Sequence, residues 1–96
     1  MRVEFLVSIK VEVPLDFPAS SFEQLLVKER VRGQELKAQG SIQRIWRIPG
    51  TRNNVGIWQA DDANQLHSLL SSLPIFAFME IEIVPLSVHP LEEEMK

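Results

Sequence analysis

Residues 2–13 alternate apolar and polar side chains with a period of two, and few folds accommodate such a segment. Val3, Phe5, Val7, Ile9, Val11 and Val13 fall on one side; Arg2, Glu4, Ser8, Lys10 and Glu12 fall on the other, with Leu6 as the exception. Successive side chains of a strand point to opposite faces, so this is a strand with one buried face. It needs neighbouring strands and a layer of helices to cover its apolar side.

The rest of the chain supplies both. Ser20 followed by Glu23 reads as a capping box that opens a helix running to about Gln39 and stopping at Gly40. Ser41–Ile48 reads as a second strand, closed by Pro49-Gly50 and a polar turn over Thr51–Asn54, and Val55–Ala60 as a third. Asp61-Asp62 caps a second helix whose apolar stripe is Ala63, Leu66, Leu69, Leu70 and Leu73. Leu73-Pro74 ends it, Phe78–Val84 reads as a fourth strand, and Leu86–Val88 as a short edge strand. The order β-α-β-β-α-β is the split-βαβ, ferredoxin-like pattern of the α+β class, an antiparallel sheet with both helices on one face. Residues 1–90 make one such domain and residues 91–96 an acidic tail. The uncovered sheet face predicts a sheet-mediated dimer or larger homo-oligomer.

Composition removes several function classes. The chain has no cysteine, which excludes a disulfide scaffold, a thiolate metal site and a cysteine nucleophile. No apolar run is long enough to span a membrane, and the charged N-terminal segment is no signal peptide, so a cytoplasmic protein is expected. Thirteen acidic against ten basic residues give a net charge of −3, which argues against nucleic acid or an anionic membrane as partner. Val55–Ala60 also lacks the stacking aromatics of an RNA-recognition domain. A ligand sensor would be fused to an output domain, for which the 96 residues leave no room. The charge is uneven: Lys28, Arg30, Arg32, Lys37, Arg44, Arg47 and Arg52 crowd the middle, opposed there only by Glu29 and Glu35. That cluster is either a solvated face or a cationic site for a small organic anion.

Glu29 breaks the apolar pattern. On a helical wheel it falls within the stripe of Phe22, Leu25, Leu26, Gly33 and Leu36. A carboxylate facing a core is paired, protonated or used, and burial raises its pKa toward the range of a general base working near neutrality. Two readings stand. Glu29 pairs with Arg44 or Arg47, with Gly33 easing close packing; or Glu29 is a base, with Gly33 leaving room for a small ligand. Arg44 and Arg47 lie on opposite faces of the second strand, so only one can point toward the helices. His67 and His89 have no i,i+4 partner and give no metal signal. Trp46 and Trp58 read as core or interface aromatics, and there is neither a Gly-rich phosphate loop nor a G-x-S-x-G nucleophile.

The stretch Gly40-Ser-Ile-Gln-Arg-Ile-Trp-Arg-Ile-Pro-Gly50, the segment Leu73-Pro-Ile-Phe-Ala-Phe-Met-Glu-Ile-Glu-Ile83 and the closing His89-Pro90 resemble the muconolactone Δ-isomerase family from about Phe5 to Pro90. The resemblance implies isomerisation of muconolactone to the 3-oxoadipate enol-lactone in catechol degradation, the β-ketoadipate pathway. It also implies a dimeric α+β barrel assembled into a decamer, with no cofactor and no metal. By the same resemblance Glu29 is the catalytic base, and Arg30 stands where relatives carry a lysine. Arg47 holds the substrate carboxylate, Asn54 donates to the lactone oxygen and Trp46 forms an apolar wall. His67 and His89 fall on matching substrate-binding positions. The chain departs from the family at Thr51-Arg52-Asn53, which replaces a more aromatic stretch, and at Ser8, which replaces a lysine. The loop departure leaves room for a related activity: chloromuconolactone dehalogenase, methylmuconolactone isomerase or cofactor-free oxygenase.

Overall fold

The alternating first strand takes an interior place in the sheet. The computed structural model, which describes residues 2–94, sets β1 (Val3–Val11) between β3 (Asn54–Ala60) and β4 (Met79–Leu86), with β2 (Ile42–Arg47) beyond β3. Every pairing in the order β2-β3-β1-β4 is antiparallel. Helix α1 (Ala19–Ala38) links β1 to β2 and helix α2 (Ala63–Ser71) follows β3. A single 3-10 turn (Phe76–Phe78) leads into β4, and a short helix α3 (Pro90–Glu94) follows it.

Register fixes which side chains share a face. Phe5, Val7 and Ile9 stand opposite Trp58, Gly56 and Asn54 on one flank, and opposite Pro85, Ile83 and Ile81 on the other. Buried Phe5, Val7, Ile9, Ile42 and Trp58 form one core with Leu36 of α1 and Leu66 and Leu70 of α2. Both helices therefore cover the same face, the ferredoxin-like arrangement expected of this α+β chain. The opposite face carries Leu6, Ser8, Arg44, Trp46, Val55, Ile57 and Val84.

The helix ends show which local signals prevail. Helix α1 stops in a Schellman motif: Ser41 N–H donates to Leu36 carbonyl (3.0 Å), Gly40 N–H donates to Lys37 carbonyl (3.2 Å), and Gly40 takes φ +85°. Asp62 caps α2 as expected, its side chain accepting from Gln65 N–H. The capping box of Ser20 and Glu23 does not form, because the N-cap of α1 is Pro18 and Ser20 lies within the first turn. What sets the start is aromatic packing. Phe17, just before the cap, meets Phe22 edge-on at 6.5 Å, a hydrophobic staple, and both rings pack on Phe78.

Two further expectations, on residues 86–88 and on Gly33, need correction. Strand β4 runs through Pro85 to Leu86, and no separate strand forms at 86–88, since a proline's missing N–H is tolerated at a sheet edge. Within residues 91–96, expected as an acidic tail, residues 91–94 lie in the short helix α3, and residues 95 and 96 lie outside the described residues. Gly33 neither eases a close contact nor opens the ligand gap beside Glu29, as a Cβ there would meet nothing within 4 Å and the residue does not line the cavity that Glu29 lines.

Candidate active site

A cavity of about 420 Å³ opens between α1 and the end of the sheet where β2 turns into β3. Leu26, Ile45, Met79, Val11 and Ile75 form its apolar walls, and Glu29, Arg30, Arg47, Thr51, Arg52 and Asn54 its polar ones. Three elements deliver the polar groups. Leu26, Glu29 and Arg30 are three and four residues apart on α1 and so share a face. Arg47 and Asn54 are register partners across β2 and β3, so both side chains leave the helix-covered face of the sheet together.

The third element is the β2–β3 turn, which is heavily tied. Ile48 N–H donates to Asn53 carbonyl (3.0 Å), Thr51 N–H and Oγ1 donate to Ile48 carbonyl (3.2 and 2.8 Å), and Asn53 N–H donates to Thr51 Oγ1 (2.9 Å). Asn53 Oδ1 accepts from Val11 N–H (2.9 Å), which pins the turn to the end of β1. Gly50, at φ +78°, supplies the left-handed residue the turn requires. The guanidinium of Arg52 then rests over the ring of buried Phe22, 5.2 Å from its centroid.

Glu29 is half-buried in the wall of this cavity, and its Oε1 accepts a 3.1 Å hydrogen bond from Ile75 N–H. Oε2 has no hydrogen-bond partner among the described residues. Desolvation pushes the carboxyl pKa above its ordinary value of 4.5, and the Ile75 hydrogen bond, which favours the anion, offsets part of that rise. The pairing with Arg44 or Arg47 does not occur; among the described residues the one ion pair is Arg32–Glu35. Asn54 Oδ1 is buried without a hydrogen-bond partner, an arrangement that costs free energy until a donor arrives.

The structure brings together Glu29, Arg30, Arg47 and Asn54 of the sequence-derived candidates, and sets the other three apart. Trp46 is on the opposite sheet face, 45% exposed, with the Arg44 guanidinium 4.8 Å from its ring centroid, so it is no wall of this cavity. The exposed His67 of α2 meets Phe76 edge-on at 6.2 Å, and His89 Nδ1 accepts from Leu91 N–H (3.0 Å) at the start of α3. Neither histidine reaches the cavity within the chain. In the sequence Thr51 stands out only as a departure from a resemblance, and Arg52 as that and as a member of the basic cluster; the role of Ile75 carries no signal at all, because a backbone N–H makes the contact. No group of three or more His, Cys, Asp or Glu that could hold a metal ion occurs among the described residues, and no helix there is long and apolar enough to cross a membrane.

The sequence profile of a family described as muconolactone delta-isomerase matches residues 3–92. The muconolactone delta-isomerase of Rhodococcus opacus is 38% identical over 85 residues, covering 88% of this chain and 91% of the relative. That of Cupriavidus pinatubonensis is 35% identical over 86 residues, covering 90% of this chain and 94% of the relative. The crystal structure of a muconolactone isomerase superposes with a TM-score of 0.83 at 32% identity, covering 91% of each chain. With the sequence matched almost end to end and the same fold around the cavity, this chain belongs to the muconolactone delta-isomerase family.

Proposed function

We propose that this chain is a muconolactone delta-isomerase, moving the ring double bond of muconolactone to give the 3-oxoadipate enol-lactone, with Glu29 as its base. The single observation that carries the assignment of the base is the half-buried Glu29, lining a cavity with guanidinium groups around it but no ion pair to any of them. A carboxyl with a raised pKa is a stronger base once ionised and gives the proton back more readily than a surface carboxylate does.

In this reading the Glu29 carboxylate takes the proton from the ring carbon that bears the carboxymethyl arm. The freed electron pair delocalises through the double bond into the lactone carbonyl, giving a dienolate. Glu29 then delivers the proton to the carbon beside that carbonyl, and the double bond ends one position along the ring with no atom gained or lost. Asn54 stabilises the dienolate oxygen as a hydrogen-bond donor, and Arg47, which leaves the sheet beside it, holds the arm's carboxylate. Val11, Leu26 and Met79 keep the ring's surroundings dry enough for these charges to matter.

Support for a homo-oligomer comes from the uncovered sheet face, where Trp46 and Val84 are 45% and 50% exposed beside Leu6, Val55 and Ile57. We propose that two chains pair through this face into an α+β barrel and that such dimers build a decamer; light scattering on the purified protein measures that mass. The activity is tested by following muconolactone by NMR with wild-type protein and Glu29→Gln. Conversion to the enol-lactone by wild type and its loss in the variant is expected. Turnover only of chlorinated or methylated lactones would move the assignment to a neighbouring activity.

A further inference from the structure

Three guanidinium groups line one cavity, one more than a single bound carboxylate can engage through both forks. A carboxylate offers about four lone-pair sites, while each guanidinium presents a fork of donors that occupies two of them. Two arginines therefore saturate one carboxylate. Arg30 comes from α1, Arg47 from β2 and Arg52 from the β2–β3 turn, and none is ion-paired among the described residues. Glu29, in the same cavity wall, makes no ion pair with any of them.

Arg52 differs from the other two in how it is held. Its turn is closed by four internal hydrogen bonds and pinned to β1 through Asn53, and its head rests on Phe22 within a cluster of three aromatic rings. A surface arginine serving only solubility needs none of this. Preorganised in this way, its fork loses less side-chain freedom when an anion binds.

We propose that Arg52 forms a second anion position, so that this cavity, besides muconolactone, admits a dianionic ligand and holds it more tightly than the matching monoanion: a five-membered lactone carrying a second carboxylate. The proposal rests on the isomerase reading for the lactone; the second anion position stands on the cavity's own geometry. Adipate and glutarate, which present two carboxylates on a flexible chain, are suitable probes against their monoamides.

Isothermal titration calorimetry of these probes into the full chain at low ionic strength separates the outcomes. Wild type is expected to bind a dicarboxylate about tenfold more tightly than its monoamide, as one added charge-assisted contact in partly screened surroundings gives. Arg52→Leu removes most of that ratio, Arg52→Lys keeps part of it, and Arg44→Leu, which removes a cation from the opposite sheet face, leaves it unchanged. Arg52→Gln keeps a polar side chain on the turn and loses the ratio as well, should the leucine variant melt early. Equal binding of dicarboxylate and monoamide by wild type, no binding of either, or a full ratio in Arg52→Gln overturns the proposal. Because the readout is binding, a dicarboxylate preference without muconolactone turnover would sink the isomerase reading alone, and turnover without the preference would sink this one alone.

Discussion

Glu29 Oε1 and the backbone N–H of Ile75 lie 3.1 Å apart, a hydrogen bond between residues 46 positions apart that ties the middle of α1 to the turn before β4. It holds the carboxyl in the cavity wall and occupies one of its oxygens, while burial of the group works against its charge. A base needs both: a fixed direction, and a pKa lifted from the ordinary carboxylate range.

Replacing Glu29 by Gln keeps an oxygen for Ile75 and removes the base. Turnover is expected to fall by at least about 100-fold, with substrate binding changed far less. In wild type, kcat/KM rises with pH as the carboxyl ionises, and the midpoint of that limb lies above 4.5. A limb with its midpoint at or below that value would show that the titrating base is not this one.

The same shift has a signature in stability. The folded state binds the Glu29 proton more tightly than the unfolded state, so this residue's stabilising contribution is fully present below its unfolded pKa near 4.5 and is lost as pH rises through the higher folded value. Glu29→Gln removes that dependence, and its melting temperature is expected to exceed that of wild type at pH 7 but not at pH 4. Thermal melts at the two pH values check the sign.

Arg47 and Arg44 leave opposite faces of β2, one beside Asn54 and the other over Trp46. Arg47→Leu is expected to raise KM by about tenfold or more, the loss of a charge-assisted bidentate contact. Arg44→Leu should leave KM within about twofold, because a cation screened behind the sheet contributes little. Steady-state kinetics on the two variants side by side tests the assignment of faces as well as the role.

Two glycines give opposite results on substitution by alanine. At Gly33, inside α1, the new Cβ meets nothing within 4 Å, so Gly33→Ala stabilises by about 0.5–1 kcal/mol through helix propensity. At Gly56 the Cβ would come within 2.6 Å of the Arg44 carbonyl, beside the register shift between Ile42 and Arg44. Backbone must move to admit it, and Gly56→Ala is expected to destabilise by about 1–3 kcal/mol. Thermal melts of the pair read both.

The alternation of Val3 to Ile9, the stripe of α2 and the Gly40 stop were legible because each is a local pattern whose period or backbone geometry decides the outcome. They determine the order of elements, which faces are apolar, and that Glu29 lies on the inner side of α1 while Arg44 and Arg47 part company. Folding decided the rest. The Phe17–Phe22–Phe78 cluster set the start of α1 against a capping box that reads well in isolation, since three packed rings outweigh one hydroxyl. The edge position of β4 let the strand run through Pro85. Long-range contacts also chose the neighbours of Glu29: a backbone N–H from Ile75 in place of an arginine, and Arg52 delivered by a turn while Trp46, His67 and His89 stay outside. Periodicity says which way a side chain points from its own element; which other element meets it there depends on how the elements stack, and no run of adjacent residues records that.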